Sequence, residues 1–271
     1  MKTSMRKTSL LHFAALAATF AAALLVSGCG GEAKTPSIAP VDESTLIPPP
    51  SPAAKLPARA GGATLTGSVS FAGTAPVRAQ IPLSGDPYCE TMHKGKALLE
   101  DAVIVGKSGE LANVFVYVKG VAGSYTAPSD HALLDQRGCR YYPHVQGIQS
   151  GQTLDVKNSD DTLHNVHAMP KDNIPFNQGQ PMPMTSDTTF TKVETTPFLV
   201  KCDVHGWMKS YLAVMPDPFF AVSDLDGKFT IPNLPPGTYT VVAWHEKYGA
   251  QQQQITIGAG ESKPVAFSFH G

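Results

Sequence analysis

Lys201 to Met208 reads Lys-Cys-Asp-Val-His-Gly-Trp-Met and places three soft or borderline metal donors, Cys202, His205 and Met208, in a Cys-x2-His-x2-Met spacing. A thiolate, an imidazole and a weak thioether suit copper moving between its two oxidation states, in a trigonal site with a long axial sulfur. The loop supplies one in-plane nitrogen where such a site needs two, so a second histidine has to come from elsewhere in the chain. Zinc also takes Cys and His, and a Cys139, His144, Cys202, His205 set can be drawn. Structural zinc sites are built from Cys and His ligands, and Met208 would then have no role.

The missing nitrogen is sought upstream. Tyr141-Tyr142-Pro143-His144-Val145-Gln146-Gly147-Ile148 and Gly151 to Asp160 are candidate strands, the second ending in Asn158-Ser159-Asp160, and His164-Asn165-Val166-His167 follows. On alternating strand geometry His164 and His167 face opposite sides, so only one of them points inward unless the strand is bulged. If His164 is the one turned inward, His167 is a structural or surface residue; His144 is expected to be a hydrogen-bonded histidine.

This layout, with His-Asn-Val-His and Cys-x2-His-x2-Met, resembles the cupredoxins, amicyanin-type blue-copper proteins in particular. The resemblance implies His164, Cys202, His205 and Met208 as the ligands of one copper ion. It also implies Asn165 as an outer-shell brace between the histidine and cysteine segments, the kind of bond that orients ligands and tunes a metal. Gly206 stands where that family usually has proline. Four protein ligands leave no open position, so the implied role is a one-electron carrier and not an enzyme, with c-type cytochromes or a periplasmic dehydrogenase as partners. The chain has no Cys-x-x-Cys-His and holds no haem of its own.

Strands must hold these residues. Ala63 to Phe71 alternates with period two, and Leu111 to Val118 is dense in β-branched and aromatic residues. Phe219–Val222, Lys228–Ile231, Thr238–Trp244 and Gln254–Ile257 are further candidates, separated by turn-rich Asp224-Leu225-Asp226-Gly227 and Pro232 to Gly237. Pro87 to His93 lies among turn formers. The segment Ser223 to Ile231 followed by Leu234-Pro235-Pro236-Gly237-Thr238-Tyr239-Thr240-Val241 resembles the carboxypeptidase regulatory-like domain, a transthyretin-like β-sandwich. Gly67-Ser68-Val69 and Ala112-Asn113-Val114-Phe115-Val116 match its early strands. The expected architecture is therefore all-β: a copper domain over residues 127–216 inserted in a sandwich formed by residues 63–126 and 217–271.

The N-terminus has Lys2, Arg6 and Lys7 before an apolar run from Leu10 to Val26, which reads as an export signal over residues 1–28. Leu25-Val26-Ser27-Gly28-Cys29 resembles a bacterial lipobox, implying lipidation of Cys29, and Gly30 after it implies the outer membrane, facing the periplasm. Residues 29–62 hold seven prolines from Pro36 to Pro57 and form a tether. At about 3.1 Å per residue in polyproline II geometry it reaches on the order of 90 Å. Removing residues 1–28 takes the formal charge from −1 to −4, which argues against a nucleic-acid surface. With Cys29 on lipid and Cys202 on metal, an oxidising compartment makes a Cys89–Cys139 disulfide the default.

Two other functions fit parts of the chain. Met169, Met182, Met184 and Met215 could supply thioethers for copper storage or delivery, and Trp244-His245-Glu246 could line a carbohydrate site in a ligand-binding module.

Overall fold

Period-two alternation along Ala63–Ala72 makes the first strand, β1, whose Leu65, Val69 and Phe71 turn to a buried face. The computed structural model describes residues 61–83 and 85–271; the export signal, Cys29 and all but the end of the tether lie outside the described residues. After β1 come a short helix, α1 (Pro87–Met92), and strand β2 (Phe115–Lys119). Next are β3 (Ala132–Gln136), β4 (Tyr141–Tyr142), β5 (Val145–Gln149), β6 (Thr153–Asn158), β7 (His164–Ala168), β8 (Phe176–Gln180), β9 (Met184–Thr189), β10 (Glu194–Lys201) and β11 (Lys209–Met215). The chain ends with β12 (Phe220–Val222), β13 (Lys228–Leu234), β14 (Gly237–His245), β15 (Gly249–Ile257) and β16 (Ser262–His270). The all-β expectation is borne out.

Four sheets form two sandwiches. In the first, sheet β13-β1-β16 faces sheet β12-β2-β14-β15, so the two early strands pair only with strands from the last fifty-odd residues of the chain. In the second, sheet β5-β11-β10-β7-β8 faces sheet β4-β3-β6-β9. Each sandwich has its own apolar core, with Leu65, Val116, Phe229 and Phe267 in one and Leu134, Ile148, Val156 and Leu212 in the other. Each such side chain contributes about 1.5–3 kcal/mol by leaving water.

A third apolar cluster joins the two sandwiches: Phe115, Tyr117, Val145, Ala213, Met215 and Val242. Period two explains it. Along β2, Val116 and Val118 enter the first core while Phe115 and Tyr117 enter the junction. Along β11, Leu212 and Val214 enter the second core while Ala213 and Met215 enter the junction. A strand buried on both faces reads as a continuous apolar run. Gly147 of β5 lies at this junction, where a Cβ would fall 2.7 Å from the ring of Phe115 and 2.8 Å from that of Phe220.

Several sequence expectations are corrected. The Leu111–Val118 run is strand only from Phe115, because Asn113 adopts a left-handed φ of 60° that no strand continues through. Pro87 to Met92 is a helical turn, with Asp86 as its N-cap accepting from the Cys89 amide at 2.9 Å and Pro87 opening the first turn. The strand expected over Gln254–Ile257 begins at Gly249, since its glutamines pair in register with β14 through the backbone, with the Gln251 and Gln253 side chains donating to the Ser268 and Ala266 carbonyls of β16. The strand Ser262–His270, parallel to β1, was not anticipated.

Candidate metal centre

The pairing of β7 with β10 matches Lys201 to His167 and Val200 to Ala168. Extending that antiparallel alignment past Lys201 brings His164 beside the loop from Cys202 to Met208. Hydrogen bonds close the loop on itself: the Cys202 amide donates to the Met208 carbonyl at 3.2 Å and the Met208 amide to the His205 carbonyl at 2.9 Å. The His205 amide donates to the Cys202 sulfur at 3.3 Å. Asn165 then ties strand to loop, its Oδ1 accepting from the Asp203 amide at 2.9 Å and its Nδ2 donating to Asn177 at 2.6 Å. The Tyr141 hydroxyl donates to the Asn165 carbonyl.

This frame brings His164, Cys202 and His205 together, with donor atoms all within 4.8 Å of one another. Nδ1 of His164 lies 3.0 Å from Nδ1 of His205, which in turn lies 3.9 Å from the Cys202 sulfur. The three residues and Met208 are each exposed by 2% or less. Bonds of about 2.0 Å to nitrogen and 2.3 Å to sulfur span at most about 4.0 Å between two nitrogens and 4.3 Å between nitrogen and sulfur. Both separations therefore fit donors sharing one ion.

The far side of each imidazole explains why Nδ1 is the free donor. Nε2 of His164 donates to Asp160 Oδ2 at 2.8 Å, and Nε2 of His205 donates to Asp86 Oδ2 at 2.9 Å. A carboxylate on one ring nitrogen fixes the tautomer and leaves a lone pair on the other. Two lone pairs facing each other at 3.0 Å beside a sulfur need a cation between them, a proton or a metal ion.

The electrostatics agree. Burial alone would raise the Cys202 thiol, but its hydrogen bonds with His164 and His205 outweigh that and bring it down to about 6. Burial alone would lower His164 and His205. Asp160 and Cys202 raise the first above the ordinary histidine value, and Cys202 and Asp86 raise the second. Burial opposes ionisation of Asp160 and Asp86, and both are nevertheless held below the usual carboxylate value by their histidines and by backbone amides. A preformed thiolate is the form that binds metal.

Other residues singled out by sequence take structural places. His167 points away from the cluster and pairs with Asp203 at 2.9 Å. His144 is half-buried against Glu246, which accepts from its Nε2. Cys139 is bonded to Cys89 in a disulfide, so the alternative zinc set is not assembled. Trp207 lies 5.0 Å, ring to ring, from His205 and donates to the Cys139 carbonyl at 3.1 Å. Met215 is buried in the junction, whereas Met169, Met182 and Met184 are exposed. His245 is buried and stacked on Tyr248 at 4.8 Å, while its neighbours Trp244 and Glu246 are half-buried.

Sequence reasoning missed Asp160 and Asp86. Asp160 carries a local signal, four residues before His164 at the end of a strand. Asp86 carries a signal only for capping α1; nothing in its neighbourhood points to a histidine 119 residues away.

Residues 217–270 match the model of the carboxypeptidase regulatory-like domain. No curated protein matches the chain. Among solved structures the chain is similar to a copper-containing nitrite reductase from Thermus scotoductus, at 21% identity over 35% of this chain and 24% of that one, with a TM-score of 0.30. It is also similar to amicyanin from Paracoccus versutus, at 19% identity over 36% of this chain and 96% of that one, with a TM-score of 0.28. A purple cupredoxin from Nitrosopumilus maritimus is 18% identical over 31% of this chain and 98% of that one, with a TM-score of 0.27.

Proposed function

We propose that this protein binds one copper ion through His164, Cys202, His205 and Met208 and carries single electrons between partners at an exported membrane surface. The observation that supports the reading best is the convergence of two carboxylate-oriented Nδ1 atoms on the Cys202 sulfur in a buried pocket of a β-sandwich. Copper held by these donors supplies one-electron chemistry.

The chain's own residues do the rest. His164 comes from a sheet strand, and the hydrogen-bonded loop holds Cys202, His205 and Met208, so the donor positions are set by packed elements before metal arrives. Burial of all four side chains keeps water from the donors. With four protein ligands there is no position for a substrate, which favours a carrier over an enzyme. A lipid on Cys29 and the Pro-rich tether would leave the folded part free to reach c-type cytochromes or a dehydrogenase in the periplasm.

The test is titration of the purified protein with Cu(II), followed by the visible spectrum. One equivalent should produce an intense thiolate-to-copper band in the red that Cys202→Ser abolishes, and the reduced protein should pass its electron to a c-type cytochrome. A colourless protein that prefers Cu(I) and exchanges no electrons sinks the reading. That result favours storage or delivery, the reading to which the exposed thioethers of Met169, Met182 and Met184 lend support.

A further inference from the structure

Both carboxylates that orient the candidate ligands are also held by the two halves of the disulfide. Asp86 accepts from Nε2 of His205 through Oδ2 and from the Cys89 amide through Oδ1, each at 2.9 Å. Asp160 accepts from Nε2 of His164 and from the Cys139 amide through Oδ2, each at 2.8 Å, while Oδ1 takes the Gly138 amide at 2.8 Å. The sulfurs complete the pattern. Cys89 Sγ lies 4.0 Å from Nε2 of His205, and the Cys139 sulfur lies within 4.8 Å of donor atoms of both Asp160 and His164.

The covering segment does not belong to the sandwich that bears the ligands. Asp86 and α1 lie between β1 and β2, strands of the other sandwich, and the disulfide fastens α1 beside the metal centre. Its further ties there are one bond of 2.8 Å, from His93 Nε2 at the end of α1 to the Gly138 carbonyl, and two long contacts of 3.5 Å, from Tyr88 to Asp160 and from Thr162 to Asp86. With this cover His205 is 2% exposed. A six-residue helix has little stability of its own, because helices shorter than about 12 residues are marginal in water.

We propose that the Cys89–Cys139 disulfide is a lock on the metal centre: it holds Asp86 and Asp160 against His205 and His164, and its reduction releases α1 and opens the Nε2 edge of His205 to water. The inference deepens the copper reading and rests on it for the identity of the ion. Reduction needs a dithiol. The dithiol's two sulfurs join in a disulfide, the Cys89–Cys139 bond breaks, and each of the two cysteines takes one electron and one proton as a thiol. Asp86 and Asp160 are positioning residues in this scheme, and they touch the ligands without binding the ion.

The test uses the full chain with Cys89 and Cys139 both changed to Ser, the single variant Asp86→Asn, and the triple variant. In copper-free protein, exchange of the imidazole C2 hydrogen is followed by mass spectrometry at His205, with buried His245 as the internal reference. In parallel, Cu(II) affinity is measured by chelator competition. Exchange at His205 should rise at least ~10-fold in the double variant and in wild type treated with a dithiol, and the copper Kd should rise ~10-fold or more. Asp86→Asn should weaken copper with the disulfide intact, and the triple variant should be no weaker than the double. Wild-type exchange and affinity in a double variant whose His245 stays protected overturn the lock. If the double variant does not fold, as loss of His245 protection would show, dithiol-treated wild type and Asp86→Asn decide the same question. Should wild type bind no copper, the copper reading fails while exchange at His205 still decides the lock.

Discussion

Asp160 Oδ2 sits 2.8 Å from Nε2 of His164 and 2.8 Å from the amide of Cys139, so one carboxylate oxygen orients a candidate ligand and anchors half of a disulfide. Bonds to a charged acceptor are about twice as strong as neutral ones, and the buried donors lose them when the charge goes. Asp160→Asn should raise the copper Kd by ~10- to 100-fold and lower the stability of the copper-free protein by about 1–3 kcal/mol. Chelator competition and urea unfolding measure the two effects. An unchanged Kd would show that His164 needs no partner at Nε2.

Asn165 is the only side chain seen hydrogen-bonding the histidine strand to the backbone of the cysteine loop among the described residues, through the Asp203 amide. Asn165→Ala should cost about 0.5–1.5 kcal/mol, the usual net worth of one hydrogen bond, because the Asp203 amide is only partly buried. Native-state hydrogen exchange should speed up at Asp203 and in the rest of the loop while β3 and β6 keep their protection. Uniform acceleration across both sheets would contradict a local role.

Gly147 separates the two sandwiches by the width of a missing methyl. Its Cβ would meet Phe115 and Phe220 at 2.7 and 2.8 Å, and Phe115 is fully buried in the junction, while Phe220 is partly buried. Gly147→Ala should destabilise by about 1–3 kcal/mol, the usual cost of overpacking. Thermal unfolding should reveal it, and a variant as stable as wild type would mean that the junction is loosely packed.

His245 makes the first sandwich acid-sensitive. Burial pushes its imidazole down to about 4, against the nearby Glu246, which raises it, and the Lys247 amide donates to Nδ1 at 3.1 Å, a bond only the ring without a proton there can accept. Because the folded value lies below the ordinary 6.5, the unfolded chain binds this proton first. Stability from this group is complete above pH 6.5 and is lost as pH falls through that window, by about 3 kcal/mol at pH 4. Urea unfolding of copper-free protein between pH 4 and 7 should show this loss in wild type and a flatter curve in His245→Gln. Parallel curves would place the acid sensitivity elsewhere.

Much of the fold was legible because its causes are local. Period-two alternation announced β1, and turn residues bracketed β12 to β15. Boundaries drifted where one residue's backbone overrode its neighbours, as at Asn113, or where polar glutamines extended a strand whose hydrogen bonds do not depend on side chains. The run from Gly249 to Gln253 looks like loop by composition. In the structure it pairs residue for residue with β14.

The sequence alone determined the donor types, because Cys-x2-His-x2-Met limits what a seven-residue loop can hold; alternation allowed only one of His164 and His167 to face it, and the resemblance to the cupredoxins pointed to His164. The tertiary structure decided how those donors are aimed and covered. Asp86 reaches His205 from a different sandwich, and the disulfide carries it there across 50 residues of chain. Spacing can state which atoms are able to bind a metal. Which nitrogen is left free depends on a carboxylate brought close by folding, and sequence separation holds no record of that distance.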